Sequence, residues 1–411
     1  MLHLFNTLSQ NKEEFKPLHG KNVTLYVCGI TPYDTTHLGH AFTYLSFDVL
    51  IKYLTYKGYN VTYTQNVTDI NDRDNDILKR AKDEGTTWEK LAEFWTNKFL
   101  FDMESLNWTK PTHYLWASEQ IPSMISLIQK IVKNGYGYEV NGSVYLDVKK
   151  YPGYGVLSKL TEEEMLKRAA EFEEDLTNPD KKNPLDITLW RATQPDQSQH
   201  IPSFESVFGP GRPGWHIECS AMSTATLGDQ IDIHGGGIDL IYPHHESEIT
   251  QSETGTGKIP FAQYWMHSAL VQKDHEKMSK SKGNLVLVSD LLKKYSPNAL
   301  RWYLLSHHYR ESWNFEEAKL QEAEELTKKL KKLSFWKATT LPESNTRETD
   351  PGQARMTTNN DLLSEFEKLM DDDLNTPEVL HVIEEKLHKD SITEEEKESL
   401  THISQTLGFI L

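Results

Sequence analysis

The chain has 411 residues, 37% hydrophobic and 26% charged, the balance of a soluble globular protein with room for two or three domains. Its formal net charge of −17 argues against a broad phosphate-neutralising face, so a large nucleic acid is a disfavoured ligand. No run approaches the roughly 18 apolar residues of a membrane span, and Met1-Leu2-His3-Leu4-Phe5-Asn6 lacks the form of a secretory leader. With only Cys28 and Cys219, no disulfide framework holds the fold, and a cytoplasmic enzyme without a membrane partner is expected.

Val23-Thr24-Leu25-Tyr26-Val27-Cys28-Gly29 predicts a buried strand, because β-branched and aromatic residues run into a glycine. A polar loop and a helix from near His37 follow, placing the chemistry at the strand's carboxyl end. Asn60 to Asp69 predicts a second such strand, closed by the polar cluster Asn66, Thr68, Asp69 and Asp72. From Ile70 to about Gly135 the pattern is helical, with Trp88, Leu91, Phe94 and Trp95 expected as a core stripe. Gly142 to Val148 alternates as a strand, and Glu162 to Asp186 reads as a charged helix followed by the loop 178–184.

Past Gly214 the pattern gives a helix from Trp215 to Leu227, a strand from Gln230 to His234 and the run Gly235-Gly236-Gly237. Glu316 to Lys337 predicts a long helix, residues 339–358 a polar linker, and residues 359–408 a small helical unit. The expected architecture is α/β: a Rossmann-like, doubly wound parallel sheet split between residues 1–97 and 201–315. A subdomain is inserted over residues 98–200, and a helical region occupies 316–411.

Thr36-His37-Leu38-Gly39-His40 opens the first helix, and Lys277-Met278-Ser279-Lys280-Ser281 lies in a glycine-bearing loop about 240 residues later. Two imidazoles at a helix start can meet nucleotide phosphates, and a lysine loop can neutralise charge developing on pyrophosphate. Together the two segments resemble the ATP-gripping signatures of class I aminoacyl-tRNA synthetases, which implies adenylate formation on a class I type of fold. Cys28, Cys219, His244 and Glu248 offer donors that suit zinc, and His244 and Glu248 sit four residues apart on one helical face. Their spacing is not that of a compact zinc motif, and two buried cysteines alone read as small hydrophobes.

Residues 20–50, 60–82 and 205–315 resemble cysteinyl-tRNA synthetase. The likeness is closest in Gly214-Trp215-His216-Ile217-Glu218-Cys219-Ser220 and in His234-Gly235-Gly236-Gly237-Ile238-Asp239-Leu240 with Pro243-His244-His245-Glu246. It implies Zn2+ on Cys28, Cys219, His244 and Glu248, binding the substrate's thiolate and rejecting the near-isosteric serine hydroxyl. It further implies that Gly29, Thr31, Thr43, Asn66, Thr68 and Trp215 hold the amino acid. His37, Gly39, His40, Gly237, Asp239, Val271 and Lys280 would meet ATP, with Mg2+ on its phosphates, and His37, His40, Lys277 and Lys280 would carry catalysis.

Gly29 to Asp34, His40 to Leu45, Pro111 to Tyr114, Lys182 to Asp186 and Asn284 to Ser289 resemble instead a relative of that synthetase: the mycothiol-pathway ligase that joins cysteine to glucosaminyl-inositol. The chain also stops at Leu411, where a bacterial synthetase continues into an anticodon-binding module. With the net charge of −17, this makes a small amine the expected acceptor beside ATP and L-cysteine, and tRNA(Cys) charging the alternative. Two departures stand against the ligase. It generally lacks the carboxylate of Glu248, and it has Glu-Arg-Gly-Gly-Asp-Pro where this chain has Glu171-Phe172-Glu173-Glu174-Asp175-Leu176, an acidic run that reads as a solvated face. The oligomeric state has no signature in the sequence.

Overall fold

The computed structural model describes residues 1–278, 282–340 and 361–411. An antiparallel hairpin, β1 (His3–Asn6) and β2 (Asn11–Glu14), precedes β3 (Asn22–Ile30), α1 (Leu38–Tyr56) and β4 (Asn60–Val67). Next come α2 (Ile77–Asp83), α3 (Trp88–Ser105), β5 (His113–Trp116) and α4 (Ile121–Lys133). Strands β6 (Gly137–Val140), β7 (Ser143–Leu146), β8 (Ile187–Ala192) and β9 (Gly211–Pro213) form a separate antiparallel sheet, with α5 (Glu162–Glu171) between β7 and β8.

The second half brings α6 (Trp215–Leu227), β10 (Ile231–Gly237), α7 (Glu246–Thr256) and β11 (Ala262–Ser268). It continues through β12 (Val271–Lys273), β13 (Glu276–Lys277), α8 (Val288–Leu291), α9 (Pro297–Leu305) and β14 (Trp313–Asn314) to α10 (Glu317–Thr340). Three helices close the chain: α11 (Asp361–Met370), α12 (Thr376–Leu387) and α13 (Glu394–Thr406).

The central sheet runs β11-β10-β3-β4-β5 with every pair parallel, as the sequence predicts. Val23, Leu25, Tyr26 and Val27 are wholly buried because helices cover both faces, so β3 shows a continuous apolar run rather than alternation. Leu25 and Val27 join the core that contains Leu45, Leu50 and Leu54 of α1, whereas Tyr26 and Cys28 face the core of Ile217 and Met222 from α6 and Ile128 from α4. From β3 the chain builds outward through β4 and β5, then returns to place β10 and β11 on the other side. The strand order therefore reverses between β3 and β10, and a crevice opens there at the strands' carboxyl ends.

Some elements differ from expectation. β5 lies inside the stretch read as helical and extends the central sheet within residues 98–200; four residues after Pro111 are too few to display alternation. Phe94 is 60% exposed rather than in the core, whereas Leu91 is buried. α5 ends at Glu171, and β10 runs past His234 to include the glycine run.

The terminal helices are tied to the sheet. Arg301 of α9 pairs with Asp48 of α1 and donates to the carbonyls of Leu106 at 2.8 Å and Leu407 at 2.6 Å, a buried charge with each partner in place. Residues 341–360, which hold most of the expected linker, lie outside the described residues. Among the described residues no helix is long and apolar enough to cross a membrane.

Candidate active site and metal centre

Gly29 sets the mouth of the crevice. A Cβ on it would lie 1.6 Å from the carbonyl oxygen of Asn66, so β3 and β4 can close here only around glycine. Its N–H donates to Asn66 Oδ1 at 2.8 Å, and Asn66 Nδ2 donates to Thr68 Oγ1 at 3.0 Å. Asn66 thus shapes the turn that presents Cys28 and Thr31 to a cavity of about 460 Å³. Of the residues singled out in sequence, Cys28, Gly29, Thr31, Thr43, Asn66, Thr68, Trp215, Cys219 and His244 line this one cavity together with His37, Gly39, His40, Gly237, Asp239, Val271 and Lys277. Glu248 is reached through Cys28 and His244, and Lys280 lies outside the described residues.

His37 is the N-cap of α1. Its Nδ1 accepts from the backbone N–H of Gly39 at 3.1 Å and of His40 at 3.3 Å, so the ring proton sits on Nε2. A Cβ at Gly39 would come within 3.0 Å of that ring, which is why the signature holds glycine there. His40 stacks on His37 with centroids 3.7 Å apart, and its Nδ1 is buried without a hydrogen-bond partner among the described residues. Burial draws His37 down to about 4 and pushes His40 well below the usual imidazole range. Both rings are therefore neutral at physiological pH.

The second signature reaches the same place. Leu38 N–H donates to Val286 O and Val288 N–H to Thr36 O, fastening the segment after the lysine loop to the start of α1. Lys277 is 53% exposed and pairs with Asp239 at 2.9 Å.

Deeper in, the thiols of Cys28 and Cys219, an imidazole nitrogen of His244 and a carboxylate oxygen of Glu248 lie within 4.8 Å of one another, all buried. Cys28 Sγ is 3.4 Å from Glu248 Oε1, which is 3.1 Å from His244 Nε2. With metal–ligand bonds of about 2.0–2.3 Å, tetrahedral ligands stand about 3.3–3.8 Å apart, so this set fits one small cation. Its chemistry also calls for one. Burial, with Cys219 and Glu248 alongside, pushes the Cys28 thiol well up, and burial does the same to Glu248. Glu248 Oε2 has no aligned hydrogen-bond partner, although His234 Nε2 stands 3.1 Å away. Burial, reinforced by His216, pushes His244 well down and keeps it neutral, as a ligand must be.

Sequence reasoning assigned no role to the histidines around this centre. His234, His245, Cys28 and Glu248 form an overlapping donor set beneath the first. His245 Nδ1 lies 2.7 Å from His267 Nε2, and His267 Nδ1 lies 2.8 Å from Thr7 Oγ1. Only the set with Cys219 and His244 opens to the cavity through three of its members, which favours it for a metal that meets a ligand. Trp215 forms a side wall: its backbone N–H donates to Asp72 at 3.0 Å, His244 stacks on its ring at 4.3 Å, and the Arg73 guanidinium lies 3.9 Å from the ring centre.

Residues 14–325 match the family described as tRNA synthetases class I (C) catalytic domain. The cysteine–tRNA ligase of Thermodesulfovibrio yellowstonii is 44% identical over 391 residues, covering 93% of this chain and 77% of that protein. That of Dehalococcoides mccartyi strain BAV1 is 44% identical over 383 residues (93% and 79%), and that of Stutzerimonas stutzeri 42% over 390 (94% and 79%). Among solved structures, Mycobacterium tuberculosis methionyl-tRNA synthetase with methionyl-adenylate superposes with a TM-score of 0.62 at 14% identity, covering 94% of this chain and 89% of that one. An Agrobacterium radiobacter LeuRS in a ternary complex with tRNA gives 0.63 at 11% identity (96% and 84%), and these two likenesses concern the fold alone.

These relatives overturn two expectations. The small amine acceptor of a mycothiol-type ligase rested on short stretches such as Gly29 to Asp34, and identity spread over 391 residues of a cysteine–tRNA ligase outweighs them. Disfavouring tRNA rested on the net charge of −17 and on the chain stopping at Leu411; the charge is a sum over the whole surface that carries no information about a local patch, and relatives matched over 93% of this chain are cysteine–tRNA ligases.

Proposed function

We propose that this chain, which belongs to the class I (C) tRNA synthetase family, activates L-cysteine with ATP and transfers it to the terminal ribose of tRNA(Cys). The single observation that carries the reading is the convergence of Cys28, Cys219 and His244 on the cavity that His37, His40 and Lys277 border. Bound there, Zn2+ would supply a soft Lewis-acid partner for the substrate's thiolate, which a serine hydroxyl cannot match. Cys28, Cys219, His244 and Glu248 would hold it.

The chain's own residues do the rest. Trp215 and Thr68 wall the amino-acid side, and Asn66 fixes the Gly29 turn that shapes it. Substrate carboxylate attacks the α-phosphorus of ATP, and pyrophosphate leaves. His37 Nε2–H and His40 donate to the phosphate oxygens on which charge gathers, while Lys277 exchanges Asp239 for pyrophosphate and Lys280 joins it; Mg2+ enters with the nucleotide. The ribose hydroxyl of the tRNA then attacks the acyl carbon, forming an ester and expelling AMP. Under this reading residues 1–97 and 201–315 make the catalytic domain, 98–200 the insertion, and 316–411 the helical region.

The activation half is tested by exchange of labelled pyrophosphate into ATP. Exchange should depend on cysteine and exceed that with serine by more than the roughly hundredfold a plain pocket achieves between such isosteres. Equal exchange with both amino acids would sink the metal-based selectivity.

A further inference from the structure

In the run Glu171 to Leu176, expected on the surface, Glu171, Glu173 and Asp175 are exposed, whereas Phe172, Glu174 and Leu176 are half-buried. Past the end of α5, Glu173 adopts a left-handed backbone (φ 57°) between Phe172, which lines the cavity, and Glu174, which does not. Phe172 stacks toward Trp215 with centroids 6.3 Å apart. Glu174 Oε1 sits 3.2 Å from His216 Nε2 and 3.0 Å from the Arg73 guanidinium, the same guanidinium that covers Trp215. On the far side of its ring, His216 Nδ1 is 2.8 Å from His244 Nδ1. Of these residues only Phe172, Arg73, Trp215 and His244 line the cavity, so Glu174 and His216 work from behind it.

With His216 neutral, the proton positions along this row follow from the partners. A carboxylate only accepts, so the contact with Glu174 holds a proton on His216 Nε2. In the Nδ1 to Nδ1 contact one ring must donate and the other accept. With the His216 proton committed to Glu174, His216 accepts and His244 donates from Nδ1. The His244 Nε2 lone pair is then left facing Cys28, Cys219 and Glu248.

We propose that Glu174 is a positioning residue that, through His216, sets the tautomer and ring orientation of His244 for metal binding, so that the inserted segment finishes the metal centre from outside. The inference rests on the metal reading given above. It reaches the centre one ring further out than an ordinary outer-shell partner, whose loss weakens metal affinity about 10–100-fold, so the effect belongs at the lower end.

The test is metal affinity by chelator competition on the full chain, with Zn2+ and with Co2+, whose visible spectrum reports ligand geometry. Glu174→Ala should weaken Zn2+ about tenfold and alter the Co2+ bands. Glu174→Gln, which keeps an acceptor oxygen for His216, should recover most of the affinity, and Glu173→Gln on the exposed neighbour should match the unmodified chain. An unmodified chain whose metal content is nil, or is unaffected by Cys219→Ser, would refute the metal reading and this inference with it. Metal held tightly and equally by the unmodified and Glu174→Ala chains would overturn the role of Glu174 alone. A Gln variant as weak as the Ala variant, or an equal loss in Glu173→Gln, would also overturn it.

Discussion

Cys219→Ser empties the metal centre and removes the metal-based part of the preference for cysteine. The side chain is 1% exposed on α6 and nearly isosteric with its replacement, so the fold tolerates the change. What the variant loses is a soft donor: a neutral hydroxyl in that buried place binds a borderline cation poorly. Metal measured after gel filtration should fall from about one ion per chain to near none. Cysteine-dependent pyrophosphate exchange should fall beyond the 10–100-fold that loss of an outer-shell partner causes, with the cysteine-to-serine ratio dropping to about a hundredfold or less. Unchanged circular dichroism would place the loss at the site. Full metal retention in this variant would remove Cys219 from the ligand set and leave the overlapping set of Cys28, His234, His245 and Glu248 as its replacement.

His37→Asn separates the two duties of the residue that starts α1. Asparagine is among the best N-caps, so the cap bonds that Nδ1 now accepts can be kept with little change in melting temperature. Its short amide cannot reproduce the Nε2–H aimed outward from the cap. Loss of one preorganised donor to developing charge costs about 10²–10³-fold in rate, and adenylate formation should slow by that amount while metal content stays level. His40→Ala should cost a similar factor, because its ring is stacked on His37 and shares the helix start. The sign of the pH dependence follows from burial. His37 stays neutral until the pH falls toward about 4, so no histidine-like limb from this residue should appear between about pH 5.5 and 8. A rate that tracks a group titrating near 6.5 and disappears in His37→Asn would contradict the neutral-donor role.

Much of this site was legible because its parts sit where sequence pattern is strongest. β3 announces itself through β-branched and aromatic residues that run into Gly29, and Trp215–Leu227 forms a helix over the very range its pattern predicts. Cys28 and Cys219 carried no useful spacing, and only the resemblance joined them; the fold explains why, since β3 and α6 meet across the sheet from distant parts of the chain. The histidine network was hidden for the opposite reason. His234 and His267 are single residues in buried strands, where a hydrogen-bonded core histidine is the ordinary reading. Glu174 was missed because charge runs are usually solvated, and nothing in its neighbours signals the turn at Glu173 that precedes it. The exposed Phe94 reverses the error: helical spacing places it beside Leu91, but it falls just outside the face that α3 buries. The acceptor was misjudged by weighing a global charge and a few short stretches above similarity along the chain.

Cysteine transfer to tRNA is measured by supplying the metal-loaded chain with ATP, Mg2+, radiolabelled cysteine and total tRNA. Acid-precipitable label should appear on tRNA, released by mild base as an ester must be, stoichiometric with AMP, and absent when serine replaces cysteine. Cysteine-dependent AMP release that leaves the tRNA unlabelled would contradict that transfer.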